Sequence, residues 1–290
     1  MRSFKRLTRI AYLFLPPVIT QWLVRSRRSP HEVTQEVAKP RLEYAPEGWK
    51  ASQRLSNDKG WNVDLVVEAE KAKWKAFCEN LEDGGPLGFS HEHTDLTVVR
   101  DVPFHNVQIT YAYVIALAAH LKSNLSVLDW GGGLGHYYQL AKAVMPDVAL
   151  EFHCKEVPLI AEAGKLLNPD VRWYADEGYL ERSYDLVMVN GSLQYIEDWK
   201  QTLEKLSRVV KEYFFLTRLP VVEHAASFVA VQREYDTEML HQQFNKNEVL
   251  DFVESLGLRR VREVVVGDRP YIQGAPEQCE LRGWLFKREN

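Results

Sequence analysis

Cysteine is scarce in this chain. Only Cys78, Cys154 and Cys279 occur in 290 residues. They are odd in number and scattered, with no CxxC pair or Cys/His cluster. Neither a disulfide framework nor a structural zinc site is expected, and a reducing, cytosolic compartment fits best. A bilayer-spanning segment is also missing. The apolar run Ile10–Val24 is 15 residues long, short of the roughly 20 that a spanning helix needs. Pro16-Pro17 breaks it in the middle. No small-residue cleavage site follows, which argues against a secretory signal. Charge of one sign is not in large excess: the net charge is −4, too mild to point to a nucleic-acid partner.

Acids are absent from one region. Residues 1–31 carry Arg2, Lys5, Arg6, Arg9, Arg25, Arg27 and Arg28 and no Asp or Glu, a charge of +7 that leaves −11 on residues 32–290. An acidic body repels phosphates, so a nucleic-acid substrate is disfavoured. The basic start resembles a transit peptide weakly. Two other readings of residues 1–28 stay open. One is a short helix docked on the protein body. The other is a peripheral contact with an anionic membrane, for which basic residues around Phe14, Trp22 and Leu23 are suited.

What is present is an ordinary globular composition, with 46% hydrophobic and 26% charged residues. Residues 29–60 read as a linker or irregular wrap. Val63 to Glu82 has helical spacing, with Glu70 interrupting its apolar stripe. Gly84-Gly85-Pro86 stops that helix. A loop with His91, His93 and His105 follows, and then a helix from Val107 to Lys122. Strands are expected at Ser126–Asp129, Leu150–Lys155, Val171–Tyr174, Leu186–Val189, Tyr213–Thr217, Arg260–Val266 and Leu281–Lys287. Helices fit at Tyr137–Val144, Leu159–Leu167, Asp198–Val210 and Lys246–Leu256. This alternation predicts an α/β fold, a doubly wound and mainly parallel seven-stranded sheet covered on both faces. Residues 107–290 read as that domain, and residues 1–106 as a mostly helical N-terminal extension.

The most informative segment is Leu125-Ser-Val-Leu-Asp129-Trp-Gly131-Gly-Gly133-Leu-Gly135-His136. A strand enters a glycine loop and a helix leaves it. Glycine lets the backbone approach a ligand closely, and the helix start offers unpaired N–H groups. The dinucleotide fingerprint G-x-G-x-x-G is not met, because His136 stands at the sixth position. A carboxylate at Asp129 suits a cationic ligand better than a diphosphate.

On Asp129-Trp-Gly131-Gly-Gly133-Leu-Gly135 the chain resembles the class I S-adenosylmethionine-dependent methyltransferases, whose pattern is [D/E]-x-G-x-G-x-G. The resemblance implies a Rossmann-like sheet and S-adenosyl-L-methionine as cofactor, with Asp129, Gly131, Gly133 and Gly135 beside its methionine part. A ribose-binding acid is due roughly 20 residues after such a loop, and Glu156 stands 21 past Gly135. Its competitor Glu151 opens the strand, at the wrong edge. Asp176, or its neighbour Glu177, is the candidate for the adenine amino group. Tyr184-Asp185-Leu-Val followed by Asn190-Gly191-Ser192-Leu-Gln194-Tyr195 matches the stretch that the family carries at its fourth strand. Asn190 and Ser192 would face the cofactor, and Tyr195 the departing methyl group.

Shorter segments resemble a bacterial group of methyltransferases associated with surface-polysaccharide gene clusters. They are Leu15-Pro16-Pro17, Gly60-Trp61-Asn62, Val127–Gly135, Leu193-Gln194-Tyr195 and Phe244-Asn245. The implied activity is methyl transfer, O-methylation above all, to a small-molecule or glycan acceptor. A hydroxyl acceptor benefits from a general base, and His224 and His241 are the candidates beside Tyr195, with His136 a further one. Arg218 is a candidate holder of an anionic acceptor. No metal-ligand spacing occurs, so a metal-dependent mechanism is not expected. A nicotinamide-dependent oxidoreductase is the alternative, disfavoured by the loop spacing and by the lack of a Tyr-x-x-x-Lys pair. A non-catalytic relative that kept the cofactor is another.

Overall fold

Short apolar runs bounded by turns become strands here, and the amphipathic stretches between them become helices. The computed structural model describes residues 41–88 and 101–289. The basic segment, His91 and His93 lie outside the described residues. In chain order the elements are β1 (Leu42–Ala45), α1 (Asp64–Glu82), α2 (Val102–Ala119), β2 (Asn124–Trp130), α3 (His136–Val144), β3 (Ala149–Lys155), α4 (Pro158–Leu167), β4 (Arg172–Tyr174), β5 (Tyr184–Asn190), α5 (Trp199–Arg208), β6 (Val210–Val222), β7 (Phe228–Glu234), β8 (Thr237–Asn245), α6 (Lys246–Ser255), β9 (Leu258–Val265) and β10 (Glu280–Arg288).

Strands β4, β3, β2, β5 and β6 lie side by side and parallel. β10 continues the sheet antiparallel to β6 and carries β9 on its far side. All seven expected strands are in this doubly wound, Rossmann-like sheet. Its central strands are apolar on both faces because helices cover both. In β5, Leu186 and Met188 pack with Val107, Tyr111 and Leu140 of α2 and α3. Val187 and Val189 pack on the opposite face with Leu203, Leu206 and Val249 of α5 and α6. The register aligns the carboxyl ends: Asp129 stands opposite Cys154 and Met188, and Asn190 opposite Thr217. Ligand sites form at this edge of a parallel sheet.

Three further strands lie outside the seven-stranded expectation. β6 overruns the sheet, and its last residues pair with the end of β8. β7 and β8 form a hairpin, and β1 adds to the outer edge of β7. The segment Tyr235–Phe244 is thus a hairpin turn and strand β8. Tyr235 and Asp236 both have positive φ, 50° and 55°, the two-residue geometry that matches strand twist. Neither residue is glycine or asparagine, so the usual turn signal is missing.

The compact unit spans Pro40–Asn290, and residue 106 falls within it. α2 crosses that point. It starts early because the Asp101 carboxylate accepts from the Phe104 N–H at 2.7 Å and proline occupies its first turn. α1 shares the core as well: Val66 and Val67 pack with Leu134, Ile160 and Ala163.

Candidate active site

β2 is buried from Leu125 to Asp129, where it delivers a carboxylate with 0% exposure. Neither Asp129 oxygen has a hydrogen-bond partner among the described residues. Burial, and then the charge of Glu156, push its pKa up to about 8. The loop that follows has room for no side chain at two places. A Cβ on Gly131 would stand 2.3 Å from the Ser192 Cβ, and one on Gly132 2.4 Å from Asp129 Oδ2. The loop therefore lies flat against the exit of β5 and directly over Asp129. Gly131 and Gly133 line a cavity of about 700 Å³, and Gly135 stands behind them as the left-handed residue that starts α3.

Glu156 lines the same cavity from the end of β3. Its Oε1 accepts from the Gly133 N–H at 3.0 Å and its Oε2 from the Val157 N–H at 2.7 Å. Burial raises its pKa, while these two N–H groups pull it down. Asn190 also lines the cavity. Its amide nitrogen donates to the Tyr137 hydroxyl, and its Oδ1 is buried without a partner. Ser192 donates to the Trp130 carbonyl at 2.9 Å. Asp176 does not belong to this group. It is exposed, does not line the cavity and accepts from the Gly178 N–H at 3.0 Å. One of its oxygens is engaged in its own short turn, so the structure does not bring Asp176 together with the residues around this cavity. Glu177 is taken by Lys205, at 2.6 Å.

The other end of the cavity is built by the hairpin layer. Tyr195 donates to Gln232 Oε1 at 2.9 Å, and Gln232 Nε2 donates to Glu234 Oε2 at 2.9 Å. Arg41 closes the chain with a bidentate grip on Glu234, at 3.0 and 2.9 Å. His241 lines the cavity, its ring edge-on to Tyr195 at 5.3 Å. Burial drives its pKa down to about 3. The Gln243 amide nitrogen faces both His241 Nδ1 and the His241 carbonyl. Nδ1 is then the acceptor, and the ring proton sits on Nε2. His241 is a neutral donor and a poor base.

His224 is a plain correction. It is exposed in the turn after β6 and does not line the cavity. Its backbone N–H, with those of Glu223 and Ala225, is captured by the Glu277 carboxylate. The sequence puts it just past strand β6, but the strand overruns the active edge before the turn comes. His136 does line the cavity, packed against Trp74 and Phe77 at 5.0 and 4.7 Å.

Several lining residues were not legible as site residues. Glu70, the polar break in the α1 stripe, is buried and comes within 3.5 Å of the position a Cβ on Gly133 would take. The break itself was the signal. Gln108 of α2 is 3% exposed with Oε1 unpartnered. Arg41, just before β1, and Gln232 and Glu234 of β7 join with no local mark of a site.

No protein-family model matches the chain, and no curated protein does. Solved structures do. Magnesium protoporphyrin IX methyltransferase from Synechocystis PCC 6803 with bound S-adenosylmethionine is 13% identical and covers 78% of this chain and 98% of its own, with a TM-score of 0.47. A 1,6-didemethyltoxoflavin-N1-methyltransferase from Burkholderia thailandensis is 14% identical, covering 81% and 95%, with a TM-score of 0.43. Human N-acetylserotonin methyltransferase is 13% identical, covering 75% and 67%, also at 0.43.

Proposed function

We propose that this chain is a class I S-adenosylmethionine-dependent methyltransferase acting on a small-molecule or glycan acceptor. The observation that carries the reading is one continuous cavity. It runs from the Gly131–Gly133 loop and Glu156 to Tyr195 and His241. The buried acceptor atoms around it support a cofactor rich in donors. Asn190 Oδ1 and Gln108 Oε1 in its wall, and the Asp129 oxygens beneath Gly132 rather than in the lining, lack partners among the described residues. An ammonium group and ribose hydroxyls are what such atoms require. Asp129, Gly131, Gly133, Glu156 and Asn190 would hold this group, which supplies a methyl group already activated on a positive sulfur.

The chain's own task is then mainly alignment. Tyr195 has its proton committed to Gln232, so its oxygen accepts from an acceptor hydroxyl. The Nε2–H of neutral His241 donates to the same ligand. Both contacts would orient an acceptor hydroxyl, whose proton passes to water on O-methylation. The aromatic wall of Trp61, Tyr195 and Tyr235 suits a ring-shaped acceptor. The glycan reading, and with it a role in surface-polysaccharide synthesis, draws on the sequence resemblance. A cytoplasmic site of action agrees with the three free thiols.

Isothermal titration tests the cofactor. S-Adenosylmethionine and S-adenosylhomocysteine should bind the purified protein, and NADH should not. Binding of NADH without S-adenosylhomocysteine would turn the reading into that of an oxidoreductase.

A further inference from the structure

β5 ends at Asn190, and the chain turns at once. Gly191 has φ 66°, a left-handed geometry that disfavours a side chain. Its N–H donates to the Thr217 carbonyl at 3.0 Å, where Thr217 and Arg218 of β6 bulge together opposite the single residue Gly283 of β10. The short turn Leu193–Tyr195 follows. Leu193 anchors it, fully buried in the core that holds Val189, Trp199 and Phe244. Gln194 and Tyr195 are thereby held in the cavity wall.

Gln194 is 5% exposed, and its amide is held at one end. Nε2 donates to the Gly191 carbonyl at 2.8 Å. A carbonyl can only accept, so this end of the amide is the nitrogen and the other end is the oxygen. Oε1 is buried and has no hydrogen-bond partner among the described residues, although Arg218 Nη1 comes 3.4 Å from where a Cβ on Gly191 would stand. Tyr195, the next residue, spends its proton on Gln232 Oε1 and keeps its lone pairs for a ligand. Two neighbouring residues of one turn thus offer acceptor atoms. A ligand that covers both and brings one donor leaves a buried oxygen unpaired. A ligand that brings two leaves none.

We propose that Gln194 is a specificity-determining residue of the acceptor site, and that the methyl acceptor carries a second donor, an O–H or N–H, which Gln194 Oε1 receives. The proposal deepens the methyltransferase reading and rests on it. The hydroxyl to be methylated sits at Tyr195 and the second donor at Gln194. The acceptor is therefore a diol, a polyol or a hydroxy amide rather than a molecule with a single hydroxyl. Discrimination by such a site is steep, because an analogue without the donor strands a buried polar atom.

The test titrates the full chain, saturated with S-adenosylhomocysteine, with uncharged probes: catechol, resorcinol and salicylamide each against phenol, and inositol against cyclohexanol. In at least one pair the probe with the additional donor should bind about tenfold tighter or more, the difference expected when a buried acceptor is left unpaired. Gln194→Met keeps the length of the side chain without the amide. It should remove that preference by weakening the first probe alone, with its counterpart unchanged. Affinity for S-adenosylhomocysteine should also stay unchanged, which shows that the variant is folded. The proposal is overturned if wild type prefers no probe with the additional donor, since water then satisfies Gln194. It is overturned too if Gln194→Met keeps the preference, or weakens both members of the pair alike, as a deformed turn would. Loss of S-adenosylhomocysteine affinity with the preference intact would assign Gln194 to the cofactor and overturn it as well. The wild-type comparison stands even if the variant fails to fold. Should wild type not bind S-adenosylhomocysteine at all, the methyltransferase reading fails, and the same titration without it still reports on Gln194.

Discussion

Asp129 works against the stability of the fold that encloses it. Its pKa is near 8 when folded, against an ordinary value of 3.8. Between these values the folded protein binds the extra proton, so stability falls as pH rises from about 4 to about 8 and then levels off. Asp129→Asn removes the titration. The variant should melt higher at pH 8 and lose this slope, by about 2–4 °C for each kcal/mol relieved. Calorimetric melts from pH 5 to 9 check this, and an unchanged slope would show that Asp129 is ionised throughout. The same variant should bind a cationic cofactor more weakly. Glu156 differs in kind, because it ties Gly133 to Val157. Glu156→Ala should weaken S-adenosylhomocysteine binding by about 1–3 kcal/mol. Glu156→Gln, which keeps one acceptor oxygen, should lose less. Titration of the two variants side by side separates the acceptor role from the charge.

At the scale of elements, the junction of β6, β10 and the hairpin layer decides the shape of the cavity. The bulge at Thr217-Arg218 depends on a residue with no side chain across the ladder. Gly283→Ala places a methyl group against Thr217 and Val264, whose atoms lie 2.4 and 2.8 Å from its position. It should cost about 1–3 kcal/mol, the usual penalty of overpacking, read as a lower urea midpoint with an unchanged slope. A cost near zero would mean that β10 moves aside easily. The helices were legible because their caps and apolar spacing are local. The hairpin of β7 and β8 was not. Tyr235-Asp236 adopts a turn that asparagine and glycine usually announce, and the turn forms because pairing from Phe228 to Glu234 with Gln243 to Thr237 enforces it.

For the whole molecule, the charge is divided between a basic start and an acidic body. We propose that residues 1–28 contact anionic membrane. The full chain should sediment with phosphatidylserine vesicles at low salt and be released as salt rises. Deleting residues 1–28 should abolish the sedimentation and leave S-adenosylhomocysteine affinity nearly unchanged. Full-length protein that stays in solution with such vesicles would favour a segment docked on the protein body. Among the described residues, no helix is long and apolar enough to cross a membrane. The glycine loop and Glu156 could be read from the chain directly. Tight backbone approach demands glycine, and a strand–loop–helix unit is contiguous, so residue order carries its geometry. The acceptor end could not. Arg41 precedes β1, Gln108, Gln232 and His241 come from α2, β7 and β8, and only packing brings them to Tyr195. His224 and His241 look alike along the chain. Their burial separates them: the overrun of β6 carries one out to solvent, and the pairing of β8 turns the other into the cavity.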